Sequence, residues 1–267
     1  MIRDTLQKYN FRPRQDRGQH FLDDPDTVTA MVDAAELAEG DTVLEIGAGA
    51  GGITKQLAEA AGQVIAYEND AELVRILDQE LDAYDNVDIR AEDALKADIP
   101  AFDACVSNIP FHRSSDVLDL LVDRGARAVL LVQEEFAQRL VAEPGDDQYS
   151  RTTVLANERF LPAYLEPVPR RSFHPEMDVD AALVKLFPRN DQFDVDDDWF
   201  RQVTKALFTH GKKKTRNAFV DSAHMLGIDD AQAEALRDDL PHADDRVRLV
   251  DVRGFVAIAQ FLADTVR

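Results

Sequence analysis

Residues Thr42 to Ala60 read TVLEIGAGAGGITKQLAEA. "TVLEIG" is a short apolar, β-branched run of the kind that forms a buried strand, and "GITKQLAEA" resumes apolar residues at helical spacing. Between them stand glycines 47, 49, 51 and 52. Glycine tolerates positive φ and lets a ligand approach the backbone, here just before a helix N-terminus. The same alternation continues outward. "QVIAYE" is followed by helical "DAELVRILDQEL", and "VDIRAED", "FDACVSN" and "AVLLVQ" are three further strands, each leading into a turn or helix. Strand–helix alternation predicts a mostly parallel sheet covered by helices on both faces. "RTTVLANERF", "AYLEPVP" and "AALVKLFP" read as β-rich additions at one sheet edge. After "PRNDQFDVDDD" the pattern turns helical, in "WFRQVTKALFTH", "KKTRNAFVDSAHML", "DDAQAEALRDDL" and "VRGFVAIAQFLADTV". The expected organisation is one α/β domain over 1–188 and a small all-helical domain over 189–267.

Composition narrows the function classes. With 267 residues and 45 % hydrophobic residues the chain can bury a real core. No run of 18 apolar residues suggests a membrane span, and the N-terminus lacks a signal-peptide core, so a cytoplasmic location is expected. One cysteine, Cys105, excludes an internal disulfide and a cysteine-based zinc site, and no metal is expected. The formal net charge is −21, carried by Asp-rich runs such as "DDPD" and "DVDDDW". Such a surface suits a high-salt, halophilic cytoplasm, where screening is short-ranged. Against it, "HGKKKTR" (His210–Arg216) concentrates three of the eight lysines.

In an open parallel sheet, ligands bind at the carboxyl ends of the strands. The first such end carries Glu45 and the glycines, and the second carries Glu68, where a carboxylate can grip both hydroxyls of a ribose. The third carries Asp93 and the fourth Asn108, in "VSNIPF". "GAGAGG" alone also satisfies G-x-G-x-x-G, so a nicotinamide dehydrogenase is a competing reading. That reading accounts for neither "NIPF" nor the lack of a hydride-chemistry His or Lys. The four strand ends together resemble the amino-methyltransferases that use S-adenosylmethionine. In such a site the Asn108 oxygen and the Ile109 carbonyl would accept the two N–H groups of an adenine amine and point its lone pair at the methyl group. Pro110 would fix the backbone, and Phe111 would offer a face for stacking.

The likeness sharpens to one family. "GQHFLDD" (Gly18–Asp24), "VQEEFAQRLVAEPGDDQYSRTTVLA", "SFHPEMDVDAALVKL" and "LFTHGKKKTRNAF" resemble segments of the KsgA-type ribosomal RNA adenine dimethyltransferases, over about residues 10–260. His20, in place of a bacterial Asn, is similar to the archaeal and eukaryotic branch. Met177 departs from the second proline of its segment. The resemblance implies a Rossmann-like class I methyltransferase sheet and S-adenosylmethionine as cofactor. It implies a cofactor site lined by His20, Leu22, Gly47, Gly49, Glu68, Asp93 and Asn108, with Asn108, Pro110 and Phe111 at the reacting amine. Phe173 is a candidate to close over the base. Arg170, Arg171, Lys212, Lys213, Lys214 and Arg216 are candidate phosphate contacts, the last four on a basic helix. The expected activity is N6-dimethylation of adenosines in small-subunit ribosomal RNA during ribosome biogenesis, by a monomer. Large-subunit RNA or DNA as substrate, or a ribosome-assembly factor acting mainly by binding, are the alternatives.

Overall fold

The structure, a computed structural model, describes residues 1–15 and 18–266. Five parallel strands form one side of a seven-stranded sheet, with β4 at its edge: β2 (Thr42–Ile46), β3 (Gln63–Tyr67), β4 (Val87–Arg90), β5 (Ala104–Asn108) and β6 (Arg127–Gln133). Strand β9 (Ala181–Pro188) pairs antiparallel with β6, and β7 (Phe160–Val168) completes the order β4-β3-β2-β5-β6-β9-β7. A separate two-stranded ribbon joins β1 (Phe21–Leu22) to β8 (Phe173–His174), with Leu22 opposite Phe173. Consecutive strands run outward from β2 to β4, after which the chain returns to add β5 on the other side of β2. The topological switch therefore lies between β2 and β5, where α/β sheets place their ligands.

The crossovers are helices: α2 (Pro25–Ala34) precedes β2, and α3 (Thr54–Ala60), α4 (Ala71–Glu80) and α5 (Ser114–Arg124) follow β2, β3 and β5. Helix α4 shows why such segments are helical. Asp70 caps it by accepting the Glu72 N–H at 3.0 Å, and Leu73, Ile76 and Leu77 are its buried stripe. The central strands β2, β3 and β5 are mostly apolar because both faces are covered: Val43, Leu44, Val64, Ala66, Cys105 and Val106 are all buried. An N-terminal helix that the sequence reading did not anticipate, α1 (Ile2–Lys8), packs Ile2 and Leu6 among Leu73 and Ile76. Glu80 anchors it through Lys8 at 2.6 Å and Tyr9 at 2.9 Å, and also holds Lys55 at 2.5 Å. Bonds from Lys55 and Lys8 hold the Glu80 carboxyl down to about 2.

The chain divides into two units, one of residues 1–137 and 162–188, the other of 138–161 and 189–267. The expected division at 188/189 made no provision for 138–161. These residues join the second unit because their apolar side chains belong to its core. Tyr149, Val154 and Leu155 cluster with Trp199, Phe200 and Phe255, and the Tyr149 hydroxyl donates to the Val250 carbonyl at 2.6 Å. Arg159 pairs with Asp197 at 2.5 Å. "RTTVLANER" is accordingly not a strand but helix α7 (Arg151–Arg159). Ser150 starts it in a reciprocal cap with Thr153. Local β propensity in "TTV" yields to that cap and to burial of Val154 and Leu155. The rest of the second unit comprises part of α6 (Glu134–Val141), α8 (Asp197–Phe208), α9 (Thr215–Ser222), α10 (Asp230–Leu236) and α11 (Val252–Val266).

Candidate active site

The carboxyl ends of β2, β3 and β5, the β1 segment and the loop after β4 enclose a cavity of about 890 Å³, within the range of small-molecule sites. It is lined by His20, Leu22, Gly47, Gly49, Glu68, Asp93, Asn108, Pro110 and Phe111.

The glycine turn is built for close approach. Gly47 and Gly49 have φ of +80° and +61°, and a Cβ on Gly49 would lie 3.0 Å from the Phe21 ring. Glu68 ties this turn to the start of α4. Its Oε2 accepts the Gly49 N–H at 2.9 Å and its Oε1 the Asp70 N–H at 2.8 Å. Burial pushes the Glu68 carboxyl up, against the pull of the Asp70, Gly49 and Asn69 amides. Each of its oxygens retains a lone pair for hydroxyl donors. Glu45, one turn away, is 1 % exposed, and its Oε2 has no hydrogen-bond partner among the described residues. Burial pushes its carboxyl up to about 8, and the nearby Glu68 charge adds to the effect.

Asp93 accepts the Leu95 N–H at 3.1 Å, with Arg113 at 3.6 Å and Lys96 at 3.4 Å. Its partial burial opposes ionisation, but the Leu95 amide and the Arg113 and Lys96 cations outweigh it and hold the carboxyl below its ordinary value. Arg113 also grips Asp116 at 2.7 Å, so it braces the turn after "NIPF" against the loop carrying Asp93.

At the end of β5 the Asn108 Nδ2 donates to the His20 carbonyl at 3.2 Å. Only the NH₂ end of the amide can face a carbonyl, so Oδ1 points the other way. Oδ1 accepts no hydrogen bond from any described residue. The His20 Nδ1 in turn lies 3.0 Å from the Pro175 carbonyl. Pro110 adopts φ −58°, and the Phe111–Arg113 turn is closed by the Arg113 N–H to the Pro110 carbonyl at 2.8 Å and by Ser114 Oγ to the Phe111 carbonyl at 2.9 Å. Phe111 is half-buried and meets Phe173 edge-on, with centroids 6.4 Å apart.

Phe173 is 1 % exposed and does not line the cavity. It supports Phe111 from the core, so the idea that it closes over a base does not describe this structure. Several lining residues escaped the sequence reading. Met177, Asp178 and Val179 come from the loop before β9, and Ile2 from α1. For Ile2 a signal was available, the Ile2–Leu6 repeat with Asp4 in the first turn. Met177 was noted only as a departure from a motif.

The charged lining comprises five carboxylates, Glu68, Asp70, Glu92, Asp93 and Asp178, and one guanidinium, Arg113, while Glu45 is a sixth acid that burial keeps protonated below about 8. A cavity of this sign suits a cationic ligand better than a dinucleotide pyrophosphate. Among the described residues no cluster of His, Cys, Asp or Glu could hold a metal ion.

A family model described as "Ribosomal RNA adenine dimethylase" matches residues 10–250. The chain belongs to this family. A Methanopyrus kandleri protein named "Probable ribosomal RNA small subunit methyltransferase A" is 44 % identical over 88 % of this chain and 86 % of its own length. A Thermococcus gammatolerans protein of the same name is 38 % identical over 97 % and 92 %. Among solved structures, a dimethyladenosine transferase from Plasmodium falciparum superposes with TM-score 0.83 at 26 % identity, covering 92 % of this chain and 98 % of that one. The 23S rRNA methyltransferase ErmE gives 0.68 at 27 %, covering 91 % and 99 %. The sheet and its helices are thus a class I methyltransferase fold with a helical C-terminal part, and the family's cofactor is S-adenosylmethionine.

The cavity fits that cofactor. The positive-φ glycines give backbone access, Glu68 keeps lone pairs for a ribose, and the acidic lining matches a sulfonium and an ammonium.

None of the candidate phosphate contacts is among the residues that line this cavity. Arg170 and Arg171 occupy a 3₁₀ turn, where Arg170 pairs with Glu176 at 3.3 Å and Arg171 is exposed with no ion pair among the described residues. Lys212–Lys214 lie in the turn between α8 and α9, not on a helix, and Lys214 is the N-cap of α9. The helical pattern breaks there because Gly211 follows the end of α8 and the Lys214 backbone pairs with Arg246.

Proposed function

We infer that this protein transfers methyl groups from S-adenosylmethionine to the N6 amine of adenosines in small-subunit ribosomal RNA, forming dimethyladenosine. The observation that carries the chemistry is Asn108, which lines the cavity and whose amide is held by its bond to the His20 carbonyl with Oδ1 left unpartnered among the described residues. The small-subunit assignment rests on the sequence relatives. The fold alone does not decide between subunits, since the 23S enzyme shares it.

When bound, the cofactor supplies a methyl group on a sulfonium that is electrophilic without further activation. Glu68 would hold its ribose hydroxyls, Asp93 its adenine, and the Gly47–Gly49 turn its methionine end, with His20 and Leu22 covering it. An exocyclic adenine amine is a poor nucleophile because its lone pair is delocalised into the ring. Asn108 Oδ1 and the Ile109 carbonyl would accept its N–H groups, drawing the nitrogen toward tetrahedral geometry. Phe111, stiffened by Phe173, would stack on the base, which must leave its own stack to enter. After the first transfer one N–H remains, and a single acceptor still orients the nitrogen for the second. Protons leave to water, so catalysis is mainly positioning and electrostatics.

The finer setting belongs to the same reading: a monomer in a high-salt cytoplasm, acting on a pre-ribosomal particle during ribosome biogenesis. The second unit meets the RNA with the Lys212–Lys214 turn and Arg216 of α9, while Arg170 and Arg171 serve as further phosphate contacts. Mapping of dimethylated adenosines in ribosomal RNA from cells with and without the gene tests the function. Identical maps, or modification confined to large-subunit RNA, would reject it.

A further inference from the structure

The basic turn of the second unit is paired with its own carboxylates. Lys213 Nζ lies 2.6 Å from Asp221, and Lys214 Nζ lies 2.8 Å from Asp244. Arg216 reaches the same Asp244 at 3.1 Å and Asp238 at 3.3 Å. Lys212 alone of the four has no ion pair among the described residues. The aspartate side chains are exposed to 39 % at Asp221 and 72 % at both Asp238 and Asp244, so these pairs stand in water and are weak and salt-screened. A bond from Lys213 holds the Asp221 carboxyl below its ordinary value, and a bond from Lys214 does the same for Asp244.

We propose that this face is an RNA-phosphate surface masked by Asp221, Asp238 and Asp244 and opened by the uptake of monovalent cations. The proposal rests on the reading that the second unit meets ribosomal RNA. A phosphate that reaches Lys213, Lys214 or Arg216 displaces an aspartate from it. The displaced carboxylate is left beside a polyanion, on a chain whose net charge is already −21. A potassium or sodium ion on that carboxylate removes the repulsion.

The consequence is a flattened salt dependence. Counterion release from single-stranded RNA lowers log K by about 0.7 per phosphate contact for each decade of salt. Uptake of one cation by a displaced carboxylate raises it by about 1 by mass action. Three contacts matched by three carboxylates therefore cancel or slightly overcompensate.

The test is fluorescence anisotropy with a labelled, protein-free small-subunit ribosomal RNA transcript. Three proteins are titrated across the KCl concentrations at which circular dichroism shows each folded. They are the parent, the Asp221→Asn/Asp238→Asn/Asp244→Asn variant, and a charge control with Asp194, Asp198 and Asp264 changed to Asn. These control positions are exposed and form no ion pair among the described residues. The parent is expected to bind with a shallow dependence on KCl, since only Lys212, Arg170 and Arg171 release counterions that no displaced aspartate offsets. The paired-site variant should bind roughly 10-fold more tightly at the lowest salt, with a slope more negative by about 2–3 units. The control should keep the parent's slope. Where the triple variant does not fold, Asp244→Asn alone, which serves both Lys214 and Arg216, should show part of the same change. Equal negative slopes in parent and paired-site variant overturn the masking, as does a control that changes the slope as much as the paired-site variant. Absence of RNA binding by the parent at every salt is a different failure, and rejects the functional reading beneath it.

Discussion

The side-chain amide of Asn108 donates to the main-chain carbonyl of His20 at 3.2 Å, and the His20 ring lies 3.0 Å from the Pro175 carbonyl. The residue at the end of β5 is therefore oriented by the β1–β8 ribbon, well away from it in sequence. A free asparagine amide can flip; this one is held by its NH₂ end, which leaves Oδ1 without a partner among the described residues. That preorganisation is what an amine-activating acceptor needs, because no reorganisation is then required at the moment of transfer.

Asn108→Ala should lower the methyl-transfer rate about 10²–10³-fold, the usual effect of losing one preorganised polar contact. Folding should survive, since Asn108 is only half-buried. Single-turnover methylation of a ribosomal RNA substrate at saturating cofactor is the measurement. Transfer at the parent rate by the folded, cofactor-bound variant would sink the mechanism.

Glu68 has two duties, organising the glycine turn and offering lone pairs to the cofactor. Glu68→Ala should weaken S-adenosylmethionine binding by roughly 1.5–3 kcal/mol, as expected for bonds to a charged group. Because burial raises the Glu68 carboxyl, cofactor affinity of the parent should begin to fall at a higher pH than an ordinary glutamate would dictate. Calorimetry across pH reads both effects, and unchanged affinity in the variant removes Glu68 from the site.

Glu45 makes the cofactor-free protein pH-sensitive. Its folded carboxyl titrates at about 8 against an ordinary 4.5. The folded state keeps a proton that the unfolded chain releases. Stability from this group is therefore full below 4.5 and is lost as pH rises through 8. Glu45→Gln should be more stable than the parent at pH above 8, on the order of a few kcal/mol by linkage. The gap should narrow as pH falls toward 5. A gap in thermal midpoint that does not change with pH would contradict the buried, protonated state.

Gly49→Ala should destabilise the protein by about 1–2 kcal/mol from left-handed backbone strain alone. Displacement of the Phe21 ring, 3.0 Å from the new Cβ, adds to that cost. Cofactor affinity should fall with it, since the Gly49 N–H positions Glu68. Urea unfolding checks the first statement and calorimetry the second. A variant as stable as the parent would mean that the turn relaxes freely.

Lys212→Gln should weaken RNA binding and make the salt slope less negative by about 0.7–0.9, one phosphate contact, with cofactor affinity unchanged. Lys212 is singled out because it needs no aspartate displaced. Equal RNA affinity of variant and parent would return it to a solvated turn.

The alternation of strands and helices, the order of chemistry at the strand ends, and nine of the residues that line the cavity were legible in the sequence. The alternation and the strand-end residues depend on local period and on the rule that parallel strands present their carboxyl ends together, whereas His20 and Leu22 were supplied only by the family resemblance. What the sequence could not show depends on distant partners. "RTTVLANER" became a helix, and 138–161 joined the second unit, because Tyr149, Val154 and Leu155 bury against α8 and α11. Phe173 was drawn into the core behind Phe111. The lysine turn kept its sequence but lost its bare charge to Asp221, Asp238 and Asp244, which lie 8 to 30 positions away along the chain. The amino-acid sequence alone determined which chemical groups this protein carries and at which strand ends. Only the tertiary structure decided which of them are paired, buried or left facing a ligand, because those states are set by neighbours that the chain brings together only on folding.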